Sequence, residues 1–214
     1  MKIAIIGAGN VGGTLGTAWA GKGHHAVFAV RNVNDEKVKK LISDAKGKAT
    51  AATIPDAVAQ CDVVLLATPW QGAREAVQSA GNLAGKVLID AVNPLESSPA
   101  FLEKGLLVGH TTSAGEQIAQ WAKGAKVVKA FNTIGSMNMS NPKFAGQSAT
   151  MFICGDDADA KKTVKQLSDD LGFETVDAGS LKIARLLEPL AMLWIHLAFT
   201  TTLGPNFGFK IIRK

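Results

Sequence analysis

Met1-Lys2-Ile3-Ala4-Ile5-Ile6-Gly7-Ala8-Gly9-Asn10-Val11-Gly12 opens the chain and decides how the rest is read. Residues 3–6 form an apolar run with no polar alternation, the pattern of a strand buried on both faces. That run leads straight into Gly-x-Gly-x-x-Gly, a weak signal alone because glycine-rich turns are common. Here the glycines follow a strand, open a helix predicted over 11–21, and precede a second apolar run at 26–30. In that setting Gly7 permits a tight turn, Gly9 lets the backbone approach a pyrophosphate, and Gly12 lets helix pack on strand. The unpaired amides at the helix start, around Asn10 and Val11, would then hold phosphates.

Outward from this stretch, apolar runs at 26–30, 63–67, 87–92 and 127–131 alternate with helical patterns at 35–45, 54–60, 72–79 and 113–122. Strand and helix in alternation predict an α/β fold with a doubly wound parallel sheet and right-handed crossovers. After residue 135 the rhythm changes. A polar loop (136–147) leads to a strand at 150–154, a helix at 158–171, a short strand at 174–176 and an apolar helix from 181 towards 202. Pro189 should kink or restart that last helix, because it has no amide hydrogen and collides with the preceding turn. The expected division is a nucleotide-binding domain, 1–135, and a smaller C-terminal α+β part, 136–214, that covers the crevice and shapes a pocket or interface.

The second strand ends in Val30-Arg31-Asn32, with no acid before Asp35 to bind a ribose 2′-hydroxyl. Arg31 suits a 2′-phosphate, with Asn32 and Lys37 as further donors, so NADP(H) is expected over NAD(H). Ligands of open α/β sheets sit beyond the carboxyl ends of the strands. Thr68, Pro69 and Trp70, then Asn93 and Pro94, then Asn132, Thr133 and Ile134 occupy those positions. Thr68 and Asn93 would bond the second ribose or the nicotinamide side, and Pro69 and Trp70 would wall a ring. Ordinary turn chemistry, and a Trp70 that caps a core, is the plainer reading of the same residues.

The 214 residues suffice for one to two compact units, and 47% hydrophobic with 19% charged residues is ordinary globular usage. A net charge of +5 favours anionic partners, yet no basic block points to nucleic acid. Cys61 and Cys154 stand apart and suggest neither a disulfide framework nor zinc, which fits a reducing cytoplasm. No signal peptide or membrane span is expected, since the longest apolar run, 189–199, falls short of about 18 to 20 residues. There is no tyrosine and no evident proton donor or nucleophile motif, so no catalytic side chain is assigned. His110 is the one imidazole expected near the crevice. Asp156, Asp157 and Asp159 are read as helix-capping acids rather than metal ligands. Hydride passed between two aromatic rings needs mainly stacking and alignment, which suits such a site.

These residues resemble the reduced coenzyme F420:NADP oxidoreductases. The resemblance runs through Gly-Ala-Gly-Asn-Val-Gly at 7–12, Val30-Arg31-Asn32, Thr68-Pro69-Trp70, Lys129-Ala130-Phe131-Asn132-Thr133-Ile134, Cys154-Gly155-Asp156-Asp157 and Asp177-Ala178-Gly179. It implies an N-terminal Rossmann domain, hydride transfer between NADPH and a 5-deazaflavin (coenzyme F420), Arg31 and Asn32 at the 2′-phosphate, and Asn132, Thr133 and Ile134 beneath the deazaflavin. Residues 127–134 are also similar to the NADPH domain of six-transmembrane metalloreductases, which leaves a flavin or ferric-type reductase open. A non-catalytic NADP(H) sensor is the alternative of another class. A homodimer is expected from the apolar stretch 189–199, which could equally wall the pocket.

Overall fold

The computed structural model describes residues 1–98 and 100–214. Its strands are β1 (Lys2–Ile6), β2 (His25–Ala29), β3 (Ala49–Ala52), β4 (Val63–Leu66), β5 (Val87–Asp90) and β6 (Lys126–Lys129). They lie side by side in the order β3-β2-β1-β4-β5-β6, all parallel. The doubly wound sheet expected from the sequence is therefore present, and its strand order reverses between β1 and β4, where a crevice opens at the strands' carboxyl ends.

Each face of the sheet has its own core. Helices α1 (Asn10–Gly21) and α2 (Glu36–Asp44) cover one face, where Ile3, Ile5 and Phe28 meet Leu15, Trp19 and Val38. Helices α3 (Ile54–Ala59) and α4 (Trp70–Ser79) cover the other, where Ala4, Ile6 and Val27 meet Ala57, Val58, Ala73 and Val77. Because both faces are covered, β1 must be apolar at every inward position, which is why its sequence runs rather than alternates. Gly12 sets how closely α1 lies on β1. A Cβ there would come within 1.8 Å of the Gly7 carbonyl oxygen, so no other residue fits without separating the two elements.

Beyond β5 come a short α5 (Phe101–Lys104) and then α6 (Ala114–Trp121), whose N-cap Ser113 accepts from the Glu116 amide. Past β6 the chain makes a small ribbon, β7 (Lys143–Phe144) with β8 (Gln147–Ser148). It then returns as β9 (Thr150–Gly155), which joins β6 in antiparallel register, Val128 opposite Gly155 and Lys129 opposite Cys154. Helix α7 (Ala158–Asp170) and β10 (Glu174–Asp177), parallel to β9, complete the eight strands. Asp157 caps α7 by accepting from the Ala160 amide at 2.8 Å, the capping use expected of that acidic stretch. The Trp19 indole donates to the Leu167 carbonyl at 2.9 Å and ties α1 to α7.

One strand not read from the sequence is added, and one expectation is corrected. Strand β3 has no apolar signature, because Ala-Thr-Ala-Ala at a sheet edge relies on its neighbour β2 for register rather than on its own side chains. The last helix, α8 (Ala184–Thr200), runs unbroken through Pro189 and is preceded by a separate turn, Leu181–Ile183. An interior proline costs a helix about 3 kcal/mol. Here it lies on the exposed side, where the freed Arg185 carbonyl can reach water, while buried Leu187, Glu188 and Ala191 hold both sides of it. By length and composition alone the segment Leu181–Thr200 is also apolar enough to cross a bilayer, a test that the core helix of a globular fold passes equally. A third of its most apolar window is buried within the fold, while Leu186, Leu193 and Phe199 stay exposed.

Candidate functional site

A cleft of about 610 Å³ lies where β1, β2 and β4 end. Of the residues expected to hold a nucleotide, it gathers Gly7, Gly9, Arg31, Asn32, Lys37, Thr68 and Pro69 into one lining. Gly7 stands at φ +107°, and a Cβ there would meet the Ala67 carbonyl oxygen at 2.5 Å, so the turn out of β1 requires glycine. Asn10, Val11 and Gly12 form the first turn of α1, whose N-cap Gly9 supplies no side-chain cap and whose first turn holds no acid. The free amides and positive end of the helix dipole are thus left for an anion.

The loop after β2 is shaped by its own polar residues. Asn32 accepts from the Asn34 amide at 3.0 Å, and Asp35 caps α2 by accepting from Lys37 N at 2.8 Å. Neither Arg31 nor Lys37 makes an ion pair among the described residues, and both are exposed at the cleft. Thr68 adds a buried hydroxyl with no hydrogen-bond partner among the described residues. Two cations and a bare helix N-terminus give the cleft anion-accepting groups, with the unpaired Thr68 hydroxyl buried beside them.

Trp70 does not line this cleft. Its indole stacks on Trp121 with centroids 5.4 Å apart and planes 28° from parallel, and the Arg74 guanidinium lies 6.0 Å from the Trp121 ring. The wall expected of Trp70 is supplied instead from the inner side of α4, by Gly72, Glu75, Ala76 and Ser79. Their spacing of three and four residues was visible in the sequence once the helix was known to start beside Thr68.

Asn93, Pro94 and residues 132–134 form a second group, beyond β5 and β6. The Asn93 amide donates to the Asn132 carbonyl at 3.0 Å, and Asn132 donates to Asn93 Oδ1 at 3.1 Å and to the Leu187 carbonyl at 3.0 Å. Asn132, Thr133 and Ile134 are buried, and Asn132 Oδ1 has no partner among the described residues. Pro94 is buried too, and its carbonyl accepts from the Leu107 amide at 2.8 Å. Phe131, just before, sits at φ +61°, a left-handed backbone that costs a non-glycine residue about 1 to 3 kcal/mol. Edge-to-face contacts with Trp19 and Phe173 hold it there. His110 stands exposed in the loop before α6, also left-handed, at φ +59°.

Beneath this second group lies a charged cluster the sequence did not disclose. Lys129 is wholly buried and donates to Asp90 Oδ2 at 3.0 Å, to Glu188 Oε1 at 2.9 Å and to the Val92 carbonyl. Asp90 Oδ1 accepts from the Val92 amide at 2.8 Å, and Glu188 takes the Ala114 and Gly115 amides at the start of α6, each at 3.0 Å. Burial pushes the Asp90 carboxyl up while the neighbouring ammonium pulls it back. Burial alone would lower Lys129, but the two carboxylates outweigh it and hold its ammonium above the usual lysine range. Burial also pushes the Cys154 thiol up to about 12, so it stays neutral. Arg185 and Glu116 pair bidentately at 2.7 and 2.8 Å at the cluster's edge, and that hydrogen bonding holds the Glu116 carboxyl low.

Comparison with known proteins agrees with this geometry. The family described as NADP oxidoreductase, coenzyme F420-dependent, matches residues 2–94. Across 99% of its length the chain is 30% identical to the F420-dependent NADP reductase of Methanothermobacter thermautotrophicus, and it covers 94% of that protein. It is also 30% identical, over 90% of its length, to the metalloreductase STEAP3 of Rattus norvegicus, of which it spans 37%. The crystal structure of a candidate F420-dependent NADP-reductase from Arthrobacter sp. FB24 superposes with a TM-score of 0.88 at 34% identity, each chain covered in full. The chain belongs to the family of coenzyme F420-dependent NADP oxidoreductases.

Proposed function

We propose that the protein transfers a hydride between the nicotinamide C4 of NADP(H) and the ring of coenzyme F420, a 5-deazaflavin. The observation that carries this is the cleft at the end of β1 and β2. A helix N-terminus without cap or acid faces it together with Arg31 and Lys37, which have no ion-pair partner among the described residues. Bound there, NADP(H) supplies the two-electron chemistry, and the chain's residues bind, orient and exclude water. Gly7, Gly9 and the α1 amides of Asn10, Val11 and Gly12 hold the pyrophosphate. Arg31, Asn32 and Lys37 hold the 2′-phosphate, and Thr68 and Pro69 the neighbouring ribose. Asn93 and Pro94 flank the nicotinamide, and Asn132, Thr133 and Ile134 form the acceptor floor. Residues 136–214 act as the acceptor and interface part, built on α8. No side chain is assigned as an acid or base, because hydride exchange between aligned rings relies on positioning.

A second reading, a flavin or ferric-type reductase, draws support from the likeness to the rat metalloreductase along 90% of this chain. Anaerobic mixing of the protein with NADPH and F420, and separately with FMN, distinguishes the readings by loss of each acceptor's visible absorbance. Bleaching of F420 is the expected result. Bleaching of FMN alone favours the second reading, and tight NADPH binding with no turnover of either would make the protein a nucleotide sensor.

We also place the protein in the cytoplasm, in keeping with two buried free thiols, and as a homodimer joined through α8. Leu186 and Leu193, two turns apart, are 65% and 48% exposed, and Phe199 is 57% exposed. An apolar face of this kind marks an interaction surface. Sedimentation should give a dimer that Leu186→Glu with Leu193→Glu converts to a folded monomer; a monomeric parent protein would refute the interface.

A further inference from the structure

We infer that Glu75 reads the adenine base of the bound nucleotide by accepting a hydrogen bond from its exocyclic amino group. The inference rests on the reading above that NADP(H) occupies the cleft at the ends of β1, β2 and β4, and it names a residue that selects the base. Glu75 is the odd member of that lining. The cleft gathers Arg31 and Lys37 beside the bare N-terminus of α1, yet α4 contributes an acid to it. Asp35, the other acid there, is occupied in capping α2 through the Lys37 amide. Glu75 is exposed and makes neither an ion pair nor a side-chain hydrogen bond among the described residues. Arg74, the adjacent cation on α4, lies 6.0 Å from the Trp121 ring instead. A carboxylate that the fold does not use, in a cleft that accepts anions, opposes the phosphates unless the ligand brings it a donor.

The covalent structure of the ligand says which donor that is. The 2′-phosphate assigned to Arg31, Asn32 and Lys37 is carried on the ribose carbon next to the one that bears the base, so the base stays in the same cleft as that phosphate. On the side formed by α3 and α4, the lining is Ile54 with Gly72, Glu75, Ala76 and Ser79, a single stripe of α4 at spacings of three and four. Ile54 and Ala76 supply apolar surface there, and Gly72 leaves room for a flat ring. Glycine is a poor helix former, it stands in the first turn of α4, and a Cβ at this position would meet nothing within 4 Å. Packing therefore does not demand a glycine here, whereas a base laid against the helix gives it a use. Glu75 stands one turn further along the same stripe. Adenine presents its 6-amino group as a donor, where guanine carries an acceptor oxygen, so a carboxylate at the base edge suits adenine.

Titration calorimetry with NADP⁺ and with its 1,N6-etheno derivative, in which a two-carbon bridge removes both hydrogens of the amino group, tests this on the parent protein, Glu75→Ala and Glu75→Gln. Both variants should fold, because Glu75 is exposed and supports no contact of the fold. Glu75→Ala is expected to weaken NADP⁺ about tenfold, as the loss of a hydrogen bond to a charged acceptor does. The etheno compound, with no hydrogen to donate, should bind that variant as tightly as it binds the parent, or more tightly. Glu75→Gln keeps an acceptor oxygen without the charge and should fall between the parent and Glu75→Ala for NADP⁺. Unchanged or tighter NADP⁺ binding in Glu75→Ala would mark a bystander acid, and equal weakening of both ligands would place its contact elsewhere on the nucleotide. Either result overturns the inference while leaving the cofactor assignment standing. If the parent protein binds adenosine 2′,5′-bisphosphate no better than adenosine 5′-monophosphate, the cofactor reading itself fails and the inference falls with it.

Discussion

Replacing Lys129 with Met is expected to lower the thermal midpoint by about 6 to 20 °C. Removing one partner of a buried ionic group leaves the other uncompensated and costs about 3 to 5 kcal/mol; in a chain of this size each kcal/mol moves the midpoint about 2 to 4 °C. Met fills most of the lysine's volume, so the loss is chiefly electrostatic. Three elements lose a common tether, because Lys129 joins the end of β6 to Asp90 on β5 and to Glu188 on α8. The pH dependence gives the cause a signature. Asp90 is already held up by burial, and the ammonium that opposes this is gone in the variant. A carboxyl whose folded pKa exceeds its unfolded value of about 4 contributes its full stability below that pH and loses it as pH rises through the folded value. Lys129→Met should therefore recover stability as pH falls from 8 towards 5. Calorimetric melts across that range check this, and a deficit that stays constant with pH would mean a packing loss instead.

The order of β1, α1 and β2 was legible because three constraints coincide in residues 3–30: apolar runs without alternation, glycines at fixed spacing, and a helix between. The edge strand β3 was not, since Ala-Thr-Ala-Ala carries no strand preference and is ordered by pairing with residues more than twenty positions earlier. Pro189 misled for a similar reason. The local rule that proline ends a helix is outweighed by Glu188 and Leu187, whose partners lie on β6, α6 and the Asn132 loop.

The site divides along the same line. Gly7, Arg31 and Thr68 could be placed at the cleft because each lies within two residues of the end of its strand, where the chain itself fixes the position. Trp70 could not be placed, because its partner Trp121 is 51 residues away and only the packing of α4 against α6 shows which side the indole faces. The Asp90–Lys129–Glu188 cluster was hidden for a further reason. Taken alone each reads as an exposed charge, Asp90 and Lys129 at strand ends and Glu188 within a helix, and their burial emerges only when β5, β6 and α8 are assembled.

Arg31→Glu is expected to weaken NADPH binding by about a hundredfold or more while changing NADH affinity less than about threefold. The arginine lines the cleft directly beyond β2, exposed and with no ion-pair partner among the described residues, so its guanidinium is available to a ligand. Charge-assisted hydrogen bonds to a phosphate contribute about 1.5 to 3 kcal/mol, or roughly ten- to a hundredfold in affinity. The glutamate adds repulsion toward the same dianion, which carries the loss to the upper end and beyond. NADH lacks the 2′-phosphate, and a carboxylate at this position can accept from its ribose hydroxyl, which offsets the lost cation. Asn32 and Lys37 remain as donors, so binding should weaken without vanishing. Fluorescence titrations of both nucleotides at fixed ionic strength read the effect, and salt should weaken NADPH binding less in the variant than in the parent. Equal losses for the two nucleotides would show that Arg31 holds the adenine or the fold of the loop rather than the 2′-phosphate.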